Sequence, residues 1–535
     1  MINETNLIIF LLWLLSAITD YSQFCYLWQL KEYRIDRFKD FLSSRQGKEF
    51  WLQYPLFWRS IIALTMFFWP INEVVLVKQI IIAVYSLDVL NTLKKVFDKK
   101  FHRPRFTPKS LGIIGVALFI EGMLLLWTYD WTILFLLLIL RFPIISIVVG
   151  VFSYPTKVYK TVRINAARKK LALYPDMKVI GITGSFGKSS TKEFLYHVLS
   201  EKYRVIKTPK NINTEIGIAQ FILTTDFSNC RYFVVEMGAY NQGEIALICS
   251  MVKPTYGILT TIAEEHLALF GSIENIQKAK YELLHALPST GYAITNGDNV
   301  YCTKDLATIK SPHALFGIDE VEHLGALITG VMQEREGIRF SIKVQGTEVH
   351  FFAPILGEHN VLNIAAALLM AQHLGMSILE IQSRITTLTA EHGVIKTYQY
   401  GKAIIVDDTY NSNPTGFRAA LAVMTTFPSS KKRIVITRGM LELGSLSDQK
   451  HEEIGGEIAF SADELIIISP DSADAMERGI VKKYGITVQR IFEPDMLLTY
   501  IKEKKDTDTV ILLENRMPYN VAEEIKQFAT YVSHT

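Results

Sequence analysis

The chain has 535 residues, 49% of them hydrophobic and 20% charged, with a formal net charge of +3. That length is too great for one core and predicts two or three domains, while the near balance of charge, without a basic run interleaved with aromatics, argues against a nucleic-acid groove. Cys25, Cys230, Cys249 and Cys302 stand far apart, with no CxxC pair and no histidine at zinc-ligand spacing, so they read as buried structural thiols.

Apolar segments crowd the first third, at about 6–28, 54–70, 74–91, 111–129 and 131–153. A bilayer-spanning helix needs about 20 mostly apolar residues, which the first, fourth and fifth supply. The second and third flank Pro70, and the third contains Lys78, so they read either as two spans or as a re-entrant hairpin. The opening "MINETN" lacks a positive n-region and no small-residue cleavage site follows, so the first segment is expected to be retained.

Lysine and arginine gather in "KEYRIDRFKDFLSSRQGK", "KKVFDKKFHRPRFTPK" and "KVYKTVRINAARKK". The positive-inside rule places all three in the cytoplasm. The expectation is a multi-pass helical membrane domain over 1–155 with about five spans, its N-terminus outside, then a basic linker at 156–175 and a cytoplasmic remainder. Glu121 and Arg141 fall within apolar stretches, where an ionisable group either marks a function or pairs to lock the helices.

After "NAARKKLALYPDM" short apolar runs alternate with helical patterns. "MKVIGITG", "YFVVEMG" and "YGILTTI" read as strands and "KSSTKEFLYHVLSEK" as an amphipathic helix, which together predict a parallel α/β sheet over 176–389. "IRFSIKVQGTEVHFF" predicts a hairpin turning near Gln345-Gly346. A second alternation, "KAIIVDDTY", "KRIVITRG", "ELIIIS" and "TVILLE", predicts a Rossmann-like α/β domain over 390–535.

"GITGSFGKSSTKEF" sits between a strand and a helix, where a phosphate-binding loop belongs. Gly184 and Gly187 let backbone amides approach phosphate oxygens, Lys188 reaches terminal phosphates and Ser189 ligates Mg²⁺. The spacing departs from the ordinary Walker A, since position 182 is Ile. A kinase, an ATPase motor and an ATP-driven ligase all fit this loop. Further on, "VVEMGAYNQGEIA" delivers Glu236 to a strand end, "TTIAEEHLALFGS" delivers His266, and "NIQKAKYELL" carries Lys278, Lys280 and Glu282 on a helix.

With "TPKNINTEIG", "GEHNVLNIAAAL", "DDTYNSNP" and "MLELG" following in order, residues from about 175 to 535 resemble the Mur ligase family, and within it the branch that adds D-alanyl-D-alanine to a UDP-linked muramoyl tripeptide. The resemblance implies an ATP-dependent acid–amino-acid ligase that phosphorylates a carboxylate and lets an amine displace the phosphate. It implies ATP binding by Gly184, Ser185, Gly187, Lys188, Ser189, Ser190, Asn360, Asn363, Asp408 and Tyr410. It further implies one or two Mg²⁺ ions on Ser189, Glu236, His266 and Lys280, the last as a carbamate, and catalysis by Lys188, Glu236, His266 and Lys280. Substrate contacts would come from Asn211, Asn213, Thr214, Arg438, Asn515 and Arg516.

Departures accompany the likeness. An arginine expected fifteen residues before Asp408 is Gly393, with His392 and Lys396 nearby; Gly-Asp before the "MLELG" motif is Arg438-Gly439; a late Lys-Gly-Ser loop is Glu514–Arg516. The family's UDP-sugar-binding domain has no counterpart between the last apolar span and the phosphate loop. A membrane module stands there instead, which raises the concentration of the active site at the bilayer face. The expected carboxylate acceptor is therefore lipid-linked or envelope-attached, and the donor an amino acid or dipeptide. A poly-amino-acid synthase subunit and an ATP-binding scaffold of envelope synthesis are the alternative readings.

Overall fold

The computed structural model describes residues 4–43, 47–48, 56–68, 73–98, 101–128, 131–210, 212–264, 267–319, 324–389, 395–409, 413–441, 443, 446–480 and 485–531. Two compact units divide the chain, residues 1–162 and 163–535.

The first unit is helical: α1 (Glu4–Leu30), α2 (Ile35–Ser43), α3 (Leu56–Phe68), α4 (Val74–Phe97), α5 (Pro108–Thr128) and the start of α6 (Ile133–Leu171). Among the described residues four helices, α1, α4, α5 and α6, are long and apolar enough to cross a membrane. The expected span at 54–70 is described only as α3, whose 13 residues rise about 20 Å, short of a hydrocarbon core of about 30 Å. The stretch read as a linker at 156–175 is helical as far as Leu171, where α6 closes on the good helix formers of Ala166–Leu171.

These helices bury charge. Asp20 on α1, Arg59 on α3, Asp88 on α4, Glu121 on α5 and Arg141 on α6 meet in one network. Arg141 bonds Asp20 at 2.8 Å and Glu121 at 3.1 Å, while Arg59 bonds Asp20 at 2.6 Å and Asp88 at 2.5 Å. Trp13 Nε1 donates to Glu121 at 2.8 Å and Ser16 to Asp88 at 2.5 Å. Glu121 and Arg141, singled out in the sequence, thus pair with each other inside the bundle.

The second unit carries two sheets. The larger has the order β2-β3-β1-β4-β5-β6-β7-β8-β9 among the described residues, parallel from β2 (Val205–Lys207) through β3 (Tyr232–Glu236), β1 (Lys178–Thr183), β4 (Tyr256–Leu259), β5 (Tyr292–Asn296) and β6 (His313–Gly317) to β7 (Leu324–Gln333). Strands β8 (Ile338–Val344) and β9 (Thr347–Ala353) add the expected antiparallel hairpin, with Gln345 and Gly346 at φ of 50° and 79° as its turn requires.

Strands β1, β3, β4, β5 and β6 are covered on both faces and read as nearly continuous apolar runs. Ile180, Ile182, Val234 and Ile258 pack on one side with α7 (Lys188–Leu199) and the Asn360–His373 helix. Val179, Phe233, Val235 and Leu259 pack on the other with the helices α8 (Glu215–Thr224), α9 (Glu244–Val252) and α10 (Ile273–Ala286), and with Ile164, Ala167 and Leu171.

The smaller sheet runs β14-β13-β12-β15-β11-β10-β16. Strands β14 (Thr487–Arg490), β13 (Glu464–Ile467), β12 (Lys432–Thr437), β15 (Thr509–Glu514) and β11 (Ala403–Asp408) are parallel; β10 (Lys396–Tyr400) and β16 (Thr530–Tyr531) close one edge antiparallel.

Candidate active site

Strand β1 leads to β2 on one side and its neighbour β4 leads to β5 on the other, so the connections diverge between the ends of β1 and β4. Ligands of open α/β sheets collect at such a switch point. The turn after β1 needs its glycines. Gly184 has φ of 152° and a Cβ there would lie 2.0 Å from Thr260 Oγ1; Gly187 has φ of 81° and a Cβ would lie 2.2 Å from Asn363 Oδ1. Thr260 in turn donates to Phe186 O at 2.5 Å, and Ser185 N donates to Thr261 O at 2.7 Å, so the end of β4 moulds the loop.

Helix α7 starts at Lys188, and its first amides face the turn, where a phosphate would complete the open end of the helix. Lys188 Nζ folds back onto Gly184 O at 2.7 Å and Ser185 O at 2.6 Å. One residue on, Ser189 Oγ donates to Glu236 Oε2 at 2.9 Å. Glu236 is only 1% exposed, and Asn213 Nδ2 donates to its other oxygen at 3.0 Å. Ser189, Glu236 and Asn213 are thereby brought together beside Lys188. A hydroxyl and a carboxylate at this spacing are hard oxygen donors of the kind Mg²⁺ takes when phosphate oxygens and water fill its remaining positions. Among the described residues no group of three or more histidine, cysteine, aspartate or glutamate side chains forms a ready-made metal cage.

Lys280 lies buried on α10 at 1% exposure, and Ser190 is buried on α7. Thr214 caps α8, accepting from Gly217 N at 3.4 Å. Asn360 and Asn363 stand beneath the glycine turn rather than in open space. Asn360 Nδ2 donates to Leu356 O at 2.8 Å, Asn363 Nδ2 to Asn360 Oδ1 at 3.3 Å, and Thr191 Oγ1 to Asn363 Oδ1 at 3.3 Å. His359, just before them, is half-buried with its Nδ1 shut off from solvent, and this desolvation pushes its imidazole down to about 4 and keeps it neutral. Asn211, His266, Tyr410, His392 and Gly393 lie outside the described residues.

In the smaller sheet Asp408 and Glu514 end adjacent parallel strands in register, both fully buried. Burial and the neighbouring Asp408 push the Glu514 carboxyl well above the usual carboxylate range. Asn515, at φ of 64°, donates through Nδ2 to Gly439 O at 2.6 Å and through its amide to Asp408 O at 3.2 Å. Arg516 N is received by Asn515 Oδ1 at 2.6 Å, and Arg438 O accepts from Ser472 at 3.0 Å. The residues expected to meet nucleotide and substrate in this domain therefore gather at the C-terminal ends of β11, β12 and β15.

Sequence reasoning passed over Lys192, Thr208 and His451. Lys192 is fully buried and reaches Glu236 Oε2 at 2.9 Å; Glu236 N donates to Thr208 Oγ1 at 3.1 Å. His451 Nε2 accepts from Met440 N at 2.8 Å, just after Gly439. A lysine one turn after Lys188 was the visible signal for the first.

Residues 182–371 match the family description "Mur ligase middle domain", and 394–514 match "Mur ligase, glutamate ligase domain". UDP-N-acetylmuramoyl-tripeptide--D-alanyl-D-alanine ligase of Bacillus subtilis is 32% identical over 339 residues, which take in 62% of this chain and 68% of the relative. The chain belongs to the Mur ligase family. The Synechocystis ligase of the same name is 30% identical over 61% of this chain and 68% of its own length. Among solved structures, Thermotoga maritima MurF in complex with ADP is similar over 69% of this chain and 83% of that one, at 25% identity and a TM-score of 0.59. Acinetobacter baumannii MurF shares the fold, with a TM-score of 0.60 at 24% identity. As a Mur ligase the chain is an ATP-dependent acid–amino-acid ligase.

Proposed function

We propose that this Mur ligase is anchored in the bacterial cell membrane through its N-terminal unit and forms an amide bond on a carboxylate of a peptidoglycan-type precursor held at the membrane face. The observation that carries the reading is the meeting of Ser189, Asn213 and Glu236 beside the glycine turn, which joins a phosphate site to a substrate loop. The relatives named as D-alanyl-D-alanine ligases supply the substrate class. Four long apolar helices in front of the ligase supply the anchor.

In the proposed reaction the acceptor carboxylate attacks the γ-phosphorus of ATP and the bond to ADP breaks. The amine nitrogen then attacks the acyl carbonyl, phosphate leaves and the nitrogen loses a proton. Mg²⁺ would supply charge neutralisation, and Ser189 and Glu236, with His266 and Lys280 by resemblance, are the residues that would hold it. The turn amides and Lys188 bind the phosphates and stabilise charge on the transferring group. Asn213 orients Glu236, and Asn360 and Asn363 hold the floor of the turn. From the second sheet Asp408 faces the nucleotide, and Arg438, Asn515 and Arg516 face the donor. The donor is an amino acid or dipeptide, with D-alanyl-D-alanine one candidate among them, since the late loop Glu514–Arg516 departs from the family's Lys-Gly-Ser.

The test is detergent-solubilised full chain with ATP, Mg²⁺, UDP-muramoyl tripeptide or a membrane lipid extract, and a panel of amino acids and dipeptides. ADP released in step with an amide product supports the proposal. ATP binding without ADP release on any pair, beside a working control ligase, leaves a scaffold.

A further inference from the structure

Lys192 is the buried cation that none of the above uses. It is fully buried one turn into α7, a place where lysine ordinarily faces solvent. A buried ammonium needs a counter-charge and full hydrogen bonding. It has both. Nζ lies 2.9 Å from Glu236 Oε2 and also donates to the carbonyl of Lys210, a residue held at φ of 47°. Glu236 Oε2 also accepts from Ser189, in the first turn of the same helix, and Oε1 from Asn213, three residues beyond Lys210. Thr208, two residues before Lys210, receives the Glu236 amide. One ammonium therefore bonds the helix that begins at the phosphate turn to the segment expected to meet substrate, both directly and through the carboxylate expected to face the metal.

We propose that Lys192 is a positioning residue that couples the nucleotide turn to the 208–214 segment. When Mg²⁺ and nucleotide draw on Glu236 and Ser189, Lys192 keeps Glu236 anchored on one side and relays the change to the carbonyl of Lys210. Its role in catalysis rests on the ligase reading. The coupling itself does not.

The experiment needs no turnover, so its failure is distinguishable from failure of that reading. Full chain in detergent is digested briefly with trypsin, and cleavage after the exposed Lys210 is followed by mass spectrometry with and without ADP and Mg²⁺. Binding of the fluorescent analogue mant-ADP is measured in parallel. In wild type, ADP with Mg²⁺ is expected to change the cleavage rate by about fivefold or more, within the usual range of coupling between sites. In Lys192→Met, cleavage without nucleotide rises about tenfold through local opening. The response to ADP disappears, while mant-ADP affinity stays within about threefold, under the roughly 1 kcal/mol that separates a small from a real loss. Lys192→Arg, which keeps the charge and protects against a failure to fold, restores part of the response. A wild-type cleavage rate that ignores ADP, a K192M chain that still responds as wild type does, or loss of mant-ADP binding in proportion to the loss of response would each overturn the coupling.

Discussion

Ser189 Oγ and Glu236 Oε2 lie 2.9 Å apart across 47 residues of sequence, one on the first turn of a helix and the other at the end of a neighbouring strand. That contact exists because β3 pairs with β1 in register, Ile182 beside Glu236, so both strands stop at the same edge. Glu236→Gln keeps the shape and removes the charge. Ligation is expected to fall by at least a hundredfold, the scale of losing an electrostatic stabiliser of the reacting groups. Glu236→Ala strands the Lys192 ammonium and is expected to cost about 3–5 kcal/mol of stability. Product formation and chemical denaturation check the two.

Gly187→Ala meets two obstacles, a φ of 81° and the Oδ1 of Asn363 at 2.2 Å from the new Cβ. Left-handed strain and the clash together are expected to weaken nucleotide binding by at least tenfold, since such strain costs about 1–3 kcal/mol. Adding Asn363→Ala relieves the clash but leaves φ unchanged, so recovery should be partial. Mant-ADP titration of the three chains measures this.

In the helical unit, Arg141 serves Asp20 and Glu121 at once. Arg141→Leu leaves two buried carboxylates short of a partner and is expected to destabilise the unit by about 3–5 kcal/mol. Arg141→Leu with Glu121→Leu should recover part of the loss, because removing both members of a buried pair costs less than removing one. Thermal unfolding in detergent, followed by tryptophan fluorescence, reads the difference.

Glu514 gives the pH dependence its sign. Its folded carboxyl titrates above its unfolded value, so its contribution to stability is fully present below about 4.5 and is lost as pH rises through the folded value. Glu514→Gln, which can donate to Asp408 at any pH, is therefore expected to raise Tm by a few degrees at pH 8, with the gain shrinking toward pH 4.5. His359 acts in the opposite direction. Its folded value of about 4 lies below the usual 6.5, so stability present above 6.5 is lost as pH falls toward 4. Denaturation midpoints of wild type and E514Q between pH 4.5 and 8 separate the two groups.

Much of this was legible in the sequence. Glu236 and Asp408 each close an apolar run that reads as a strand, and the turn chemistry of "TGSFGKSS" fixes where a phosphate would sit. Lys192 was hidden because a lysine on an amphipathic helix looks solvated, and only the approach of Glu236 from another strand buries it. The pairing of Asp408 with Glu514 depends on strand order, which no local pattern records. The helical unit hid a different feature. Length and apolarity marked its segments, yet Asp20, Arg59 and Asp88 lie inside those segments with nothing local to set them apart, and only the meeting of five helices brings them onto one network. The run after Pro155 carries the charge of a linker and opens with β-branched residues that disfavour a helix, so the continuation of α6 is not written in its composition.

The measurement that bears most directly on membrane-face ligation is mass spectrometry of lipid-extractable species from membranes carrying the full chain, incubated with ATP and isotope-labelled amino acids and dipeptides. A precursor that gains the mass of the donor less one water, in wild type but not in Lys188→Ala, is the expected result. A Lys188→Ala chain that still adds the label, or a donor that joins only water-soluble acceptors in wild type, would contradict it.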